Sequence, residues 1–311
     1  MPLYPIFLRP DHRLRAGWRL LIWLLIAAIL DSALEFLAGL ALPGANNHPF
    51  LDPRWLLTGD VLVFIAVLIA TLIMARIEDA SLRDYYIPTR DFFRPQFWQG
   101  LLWGFLAVSL LVGLIAALGG YRITGFAIHG TALIRAALWW TAAAIGIGVA
   151  EEIAFRAYLL RTLADGIRFW PAAILLSIGF GALHYFTKPY ERWEDFACTG
   201  LIGLFGCLTI RRTRSLAFII GFHAAFDWAA MFLYSGRNAG EFAVGHLLQT
   251  SWTGPDWLTG GMLGPEASRL VFIVIALLFL AYLLLYRQMS VAGSGTPQSA
   301  NASGWNPATR P

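Results

Sequence analysis

Six ionisable side chains lie within or at the end of three long apolar stretches of this sequence. The first stretch carries two glutamates and an arginine, the second a histidine, and the third a histidine and an aspartate: Glu151, Glu152, Arg156, His184, His223 and Asp227. An ionisable residue at membrane depth costs roughly 2.5–3.5 kcal/mol on insertion scales, so it indicates a functional site by default. The same types of side chain are those that activate water in hydrolases.

The chemistry that these residue types support is hydrolysis by an activated water. A carboxylate beside a neutral imidazole can take a proton from water, and a second imidazole with a polar partner can hydrogen-bond to an oxyanion. A glutamate and two histidines can equally bind a metal such as zinc. From residue types alone, both interpretations stay open.

Spacing assigns different environments to the two neighbouring glutamates. Glu152 and Arg156 are four residues apart, so in a helix they form a natural ion pair. Glu151 is rotated by about 100° from Glu152 and can point into a cavity while Glu152 is held by the arginine. His223 and Asp227 share the same four-residue spacing, so Asp227 can orient His223 or act as a further metal ligand.

The elements that position these residues are membrane helices. The 311-residue chain is 58% hydrophobic and 14% charged, whereas a soluble domain carries about 25% charged residues. Crossing a hydrocarbon core takes about 20 apolar residues. We expect an all-α integral membrane protein with about eight transmembrane helices around an intramembrane cavity, at 18–41, 55–76, 97–118, 133–160, 169–186, 196–210, 215–233 and 269–286.

The charge distribution predicts the orientation of this bundle. Arginines cluster in the N-terminal segment 1–17 and in alternate loops, so the positive-inside rule puts both termini in the cytoplasm of a multi-pass protein of the cell (inner) membrane. The membrane domain spans 18–286, with its core motifs in 133–233, and the tail 287–311 is expected to be disordered. The net charge of +4 is not a nucleic-acid signal; the expected partners are the lipid bilayer and a membrane-associated protein or peptide substrate.

Several further expectations concern single elements. Segment 77–96 should lie along the interface as an amphipathic element, and the glycine-rich loop 234–268 should be irregular. Asp60 is expected at the outer interface, and Gly146 and Gly148 should permit close helix approach. The two cysteines, Cys198 and Cys207, fall in one helix beyond disulfide reach and should be free.

Three motifs, in order and on separate helices, resemble those of the CAAX protease and bacteriocin-processing enzyme family of intramembrane proteases. They are Glu-Glu-x-x-x-Arg at 151–156, Phe-x-x-x-His at 180–184 and His-x-x-x-Asp at 223–227. The resemblance covers roughly residues 75–270, and the segments Ser81–Tyr85 and Pro255–Glu266 look like those of bacterial members.

The resemblance implies a glutamate-dependent endopeptidase with its site inside the membrane. By this analogy Glu151 and His184 activate the water, and His223 with the residue at 227 stabilises the oxyanion. Glu152 and Arg156 are supporting residues, and a metal-dependent mechanism with ligands Glu151, His184, His223 and Asp227 is not excluded. The family more often has asparagine where this chain has Asp227, and an ionised aspartate cannot donate to an oxyanion.

Two other functions fit a membrane protein with buried ionisable groups. A proton-coupled transporter also buries Glu, Arg and His in helices, although no inverted repeat is visible in this chain. A non-catalytic membrane scaffold or immunity protein could retain the same fold. The substrate, its cleavage site and the use of prenylated substrates stay open at this level.

Overall fold

The computed structural model describes residues 7–8, 14–42, 44, 47–90 and 92–286, and helices dominate this part of the chain. Most of the expected N-terminal segment 1–17 and the whole expected tail 287–311 lie outside the described residues. In chain order the helices are α1 (Ala16–Ala41), α2 (Pro53–Ile77), α3 (Pro95–Ala117), α4 (Gly130–Arg156), α5 (Tyr158–Ile167), α6 (Phe169–Thr187), α7 (Trp193–Thr213), α8 (Ala217–Asp227), α9 (Asp256–Thr259) and α10 (Val271–Leu285).

The helices confirm an all-α integral membrane protein. Among the described residues, six stretches are long and apolar enough to cross a membrane: α1, α2, α3, α4 with α5, α6 and α7. The 17-residue stretch Ala217–Leu233, in which a π-helical turn (Trp228–Leu233) continues α8, and helix α10 are shorter and also apolar. These eight stretches correspond to the eight expected ones, and helix α7, expected only over 196–210, runs unbroken for 21 residues.

Local sequence explains where these helices begin and end. The Asp52 carboxylate accepts a hydrogen bond from the Arg54 backbone N–H at 3.0 Å, and Pro53 occupies the first position of α2, where its missing N–H costs nothing. The α4 helix stops at Arg156 because Ala157 leaves helical geometry at φ −86° and ψ −98°. The expected single helix 133–160 is therefore broken at Ala157, between α4 and α5.

Glycines bring the site-bearing helices into close contact. A Cβ on Gly148 would lie 3.0 Å from the Ile220 carbonyl oxygen, so its absence lets α4 approach the backbone of α8. A Cβ on Gly146 would lie 2.9 Å from Leu57 of α2. The expectation that Gly146 and Gly148 permit close helix approach is confirmed, and α4 consequently lies between α2 and α8.

The loops at the end of the bundle opposite the arginine clusters contain strands that the sequence did not predict. Strand β1 (Tyr121–Phe126) pairs antiparallel with β4 (Leu248–Trp252), with a bulge between Ile123 and Gly125. Two short strands, β2 (Arg237–Asn238) and β3 (Glu241–Phe242), form a hairpin. The expectation of irregular structure throughout 234–268 was wrong, because β1 provides backbone partners from a distant part of the chain.

Segment 77–96 does not simply lie on the interface as expected. Its 3₁₀ turn (Leu82–Tyr85) is capped by Ser81 and Asp84, and the three residues that follow its arginine and aspartate are buried: Tyr85, Tyr86 and Ile87. Phe93, in contrast, is 64% exposed. The centre of this segment is thus part of the packed core, which the alternation of aromatic and charged residues did not reveal.

The carboxylate of Glu78 ties this segment to α1 and α5. It accepts hydrogen bonds from the Arg19 guanidinium, from the Tyr85 hydroxyl at 3.1 Å and from the Tyr158 hydroxyl at 2.5 Å. We expect Glu78→Ala to lower the free energy of unfolding by about 3 kcal/mol, because three donors lose their acceptor. Thermal unfolding in detergent measures this, with Glu35→Ala on the exposed face of α1 as control; equal melting temperatures would contradict the role given to Glu78.

Candidate active site

A cavity of about 180 Å³ lies inside the bundle and is bordered by α2, α4, α6, α7 and α8. This volume is large enough to hold water. Apolar side chains such as Ile147 and Phe180 form part of its wall. Its ionisable lining consists of Asp60, Glu151, Glu152, His184, Lys188, His223, Asp227 and Glu266. Five of the six residues singled out by the sequence therefore meet at one cavity, and Arg156 lies behind it.

Glu152 and Arg156 form the buried ion pair that their spacing predicts. Arg156 Nη1 lies 2.7 Å from Glu152 Oε2, and the two side chains are 2% and 3% exposed respectively. Arg156 also donates from Nε to the Gly203 carbonyl at 3.3 Å and stacks over the Phe180 ring at 4.6 Å. A Cβ on Gly203 would come within 2.6 Å of Arg156 Nη2, so a larger residue there would displace the guanidinium. The arginine thus connects α4 to α6 and α7.

Both glutamates line the cavity, but Glu151 is open to it, whereas Glu152 is buried against Arg156. The Glu151 side chain is 29% exposed, and its Oε2 atom has no hydrogen-bond partner among the described residues. Oε2 lies 3.9 Å from His184 Nε2 and 3.7 Å from His223 Nε2. Both distances are too long for direct hydrogen bonds and match the separation of two atoms that one water, about 2.8 Å from each, can bridge. The carboxylate is therefore available to a water molecule.

A backbone hydrogen bond fixes the orientation of His184. Its Nδ1 lies 3.0 Å from the Phe180 carbonyl oxygen, one helical turn earlier, so in the neutral ring Nδ1–H donates and Nε2 carries the lone pair. That lone pair faces the Glu151 carboxylate, which also only accepts. Two acceptors that face each other across a gap of 3.9 Å are matched by a water that donates one proton to each.

His223 is held from α4 through Glu152. Its Nδ1 lies 3.0 Å from Glu152 Oε1, and its Nε2 faces the cavity, 3.6 Å from Asp227 Oδ2. With Nδ1–H donating to Glu152, a protonated Nε2 is a second donor aimed into the cavity. Asp227 is followed directly by the π-helical turn, a type of irregularity that is frequent at functional sites.

Metal ligation finds no support in the donor geometry. In the described part of the chain, no group of three or more His, Cys, Asp and Glu side chains is arranged to hold a metal ion. The set Glu151, His184, His223 and Asp227, expected as ligands under the zinc alternative, does not meet this arrangement. We therefore derive no step through a metal.

Sequence reasoning missed part of the cavity lining. Asp60 was expected at the outer interface, but it lines the cavity. It lies beside α4, because a Cβ added to Gly146 would be 3.8 Å from the Asp60 Cβ. Lys188 and Glu266 also line the cavity. The rule that ionisable residues within apolar helices are functional would have flagged Asp60.

Lys188 and Glu266, which lie outside the membrane spans, shift each other's pKa. Burial, together with the negative charges of Asp227 and Asp195, raises the pKa of Glu266 to about 8. Although burial opposes it, the charge of Glu266, followed by that of Asp195, raises the pKa of Lys188. This end of the cavity therefore carries a lysine ammonium among carboxyl groups.

The two cysteines, Cys198 and Cys207, are free and buried, as expected.

The helices that carry the site resemble those of a known family. Residues 133–229 match the model of a family described as type II CAAX prenyl endopeptidase Rce1-like. The match begins in α4 and ends just beyond Asp227, so it includes all three motifs. No curated protein matches the chain. The family match and the three motifs support assignment of this multi-pass membrane protein to the CAAX protease and bacteriocin-processing enzyme family, a family of peptidases.

Proposed function

We propose that the chain is an intramembrane endopeptidase that hydrolyses peptide bonds of membrane-associated substrates. The observation that carries the proposal is the convergence of Glu151, His184 and His223 from three helices on one cavity, with Oε2 of Glu151 within 3.9 Å of both imidazoles. Each of these groups is carried by a helix. The two imidazole rings are each held in addition by a hydrogen bond at Nδ1. A preorganised set of this kind can lower the barrier to water attack.

The water between Glu151 and His184 is the proposed nucleophile. Glu151 takes one of its protons as the oxygen attacks the carbonyl carbon of the scissile bond, and His184 Nε2 accepts a hydrogen bond from the other. The tetrahedral intermediate then collapses, and Glu151 returns the proton to the leaving amine nitrogen. The carbon–nitrogen bond is broken, and the second proton of the water passes from the new carboxylic acid to the released amine, so the products are a carboxylate and an ammonium group.

His223 is the proposed stabiliser of the oxyanion. In this role His223 is the imidazolium: with Nδ1–H donated to Glu152 at 3.0 Å, only the protonated ring also carries a proton on Nε2, and that proton points into the cavity. Asp227, at 3.6 Å from Nε2, orients the same ring from one turn further along α8. This assignment gives the aspartate a positioning role in place of a donor role, which removes the need for an asparagine at this position.

The membrane and the orientation are also part of the proposal. The arginine-rich end of the bundle, defined here by Arg83, Arg90, Arg94, Arg161, Arg168, Arg211, Arg212 and Arg214, would face the cytoplasm of the cell (inner) membrane. Both termini would then be cytoplasmic. The substrate is a membrane-associated protein or peptide that reaches the cavity from within or beside the bilayer.

Cleavage of a membrane-tethered peptide by the purified protein in liposomes tests the function. The parent chain should release two fragments, and Glu35→Gln, on the exposed face of α1, should act at the same rate. His223→Ala should be about 10²–10³-fold slower, because the oxyanion loses a donor. No cleavage by the parent, together with solute flux driven by a pH gradient, would instead identify a transporter.

Metal removal separates the two hydrolytic mechanisms. Because the described residues offer no arrangement for a metal, we expect a strong chelator to leave the rate of peptide cleavage unchanged. The measurement is the rate before and after prolonged incubation with the chelator, followed by addition of zinc. Loss of activity that zinc restores would contradict the metal-free mechanism and make Glu151, His184, His223 and Asp227 the ligand set.

A further inference from the structure

Asp60 lines the candidate active-site cavity but has no part in the proposed activation of water. It is carried by α2, a membrane span, about two helical turns after the first residue of the helix, Pro53. The described residues provide its carboxyl group with no hydrogen bond and no ion pair. A carboxyl group at membrane depth is costly, and by default such a residue indicates a functional role.

The packing of α2 against α4 fixes the position of this carboxyl group. A Cβ added to Gly146 would be 3.8 Å from the Asp60 Cβ and 2.9 Å from Leu57, so the two helices are in direct contact here. Gly146 is five residues before Glu151 on α4, which corresponds to about 7.5 Å along the helix axis. Asp60 therefore lies beside the water-activating glutamate, between one and two turns away from it along α4.

The charges that act on Asp60 are mainly negative. Glu151 and Asp227 act on it with negative charges, and His223 acts on it with the opposite charge. The His223 ring is already bound by the Glu152 carboxylate at 3.0 Å and faces Asp227 at 3.6 Å. A further carboxylate beside two others is favourable only when a cation balances its charge.

Lys188, the lysine of the cavity lining, does not supply that cation. It follows α6 directly, whereas Asp60 lies on α2 beside α4. Lys188 is not among the charges that act on Asp60. The charges that act on the lysine ammonium are those of four carboxyl groups, in decreasing order Glu266, Asp195, Glu151 and Asp227. The cavity therefore has a carboxyl group on its α2 side that no cation of the described residues balances.

The cavity wall next to Asp60 matches the stem of a long side chain. Leu56 is four residues before Asp60 on α2, so both lie on the same face of the helix, and Leu56 also lines the cavity. Ile147, next to Gly146 on α4, is another apolar residue of the lining. Lysine and arginine side chains lay an aliphatic stem on apolar surface and keep the charged end with a polar partner. The wall and the carboxyl group together therefore fit a side chain of this kind.

We propose that Asp60 is a specificity residue that binds a lysine or arginine side chain of the substrate. The inference rests on the proposed peptidase function and narrows its substrate class. An extended peptide advances by roughly 3.3–3.6 Å per residue, so the separation of about 7.5 Å along α4 corresponds to about two substrate residues. The cationic residue is therefore expected within three residues of the scissile bond.

The test compares the cleavage of matched membrane-tethered peptides by the full chain in liposomes. Mass spectrometry of the fragments first locates the scissile bond in a neutral peptide. Each position within three residues on either side of that bond is then occupied in turn by lysine, glutamine or glutamate. The readout is the ratio of kcat/KM for the lysine peptide to kcat/KM for the glutamine peptide, which a general loss of activity or stability does not change.

At one of these positions the parent should cleave the lysine peptide with a kcat/KM about 10–100-fold above that of the glutamine peptide, because a charged hydrogen bond discriminates by this much. The glutamate peptide should be the poorest substrate. Asp60→Asn should remove the preference for lysine, and Asp60→Glu, which keeps the charge, should retain most of it. The control, Asp79→Asn, makes the same change at an exposed residue with φ 50°, a conformation that asparagine also adopts, and should keep the parental ratio.

Two results would overturn the assignment of Asp60. Equal kcat/KM for the lysine, glutamine and glutamate peptides at every position would show that the cavity does not recognise a cationic side chain. A preference for lysine that Asp60→Asn retains would assign the recognition to another group. In both cases cleavage of the neutral peptide by the parent upholds the proposed function, whereas no cleavage of any peptide would overturn the function and the role of Asp60 together.

Discussion

Glu151→Gln is expected to lower kcat for peptide cleavage by about 10²–10⁴-fold while leaving the melting temperature unchanged. Glutamine keeps the size of the side chain but cannot take a proton from water. The fold does not depend on the carboxylate, because Oε2 of Glu151 has no hydrogen-bond partner among the described residues. Loss of turnover without loss of stability is the signature of a residue that acts on the reacting water.

The measurement is steady-state cleavage of a membrane-tethered peptide, with thermal unfolding of the same preparation. Glu35→Gln makes the same chemical change on the exposed face of α1 and should match the parent in both. A Glu151→Gln protein that cleaves at the parental rate would remove Glu151 from the mechanism. A large fall in its melting temperature would make the residue structural.

Unlike Glu151→Gln, Glu152→Gln should lower the free energy of unfolding, by about 3–5 kcal/mol. The substitution leaves Arg156, which is 2% exposed, without its charged partner at 2.7 Å. The Gly203 carbonyl and the Phe180 ring still contact the guanidinium, but neither carries a compensating negative charge. His223 also loses the carboxylate that orients Nδ1, so activity should fall as well.

Thermal unfolding in detergent compares Glu152→Gln with Glu151→Gln, which is the same substitution one position earlier. The double variant Glu152→Gln/Arg156→Met should recover most of the stability, because no buried charge is left unpaired. Equal melting temperatures for the two single variants would contradict the division of roles between the adjacent glutamates.

The sequence predicted the parts of the site that depend on one helix. The Glu152–Arg156 pair and the different direction of Glu151 follow from the four-residue spacing and the rotation of about 100° per residue. The helices themselves follow from long apolar runs, since in a bilayer every backbone polar group must be satisfied within the segment. These properties are local, so one sequence is enough to read them.

The parts that the sequence did not predict depend on contacts between distant segments. Asp60 lines the cavity because α2 packs against α4 at Gly146, and no spacing within α2 reveals that neighbour. Strand β1 forms because β4 pairs with it from more than 120 residues further along the chain. The start of α8 likewise contacts the segment before α3, through a hydrogen bond from the Leu216 N–H to the Tyr86 carbonyl at 2.9 Å.

A double-mutant cycle on kcat with Glu151→Gln, His184→Gln and the combined variant tests most directly whether one water is activated by both groups. Groups that act as a unit have strongly non-additive effects on turnover. We predict that the double variant cleaves a membrane-tethered peptide no more slowly than the slower single variant. Losses that multiply would show that Glu151 and His184 act on separate steps, and the proposed site would be wrong.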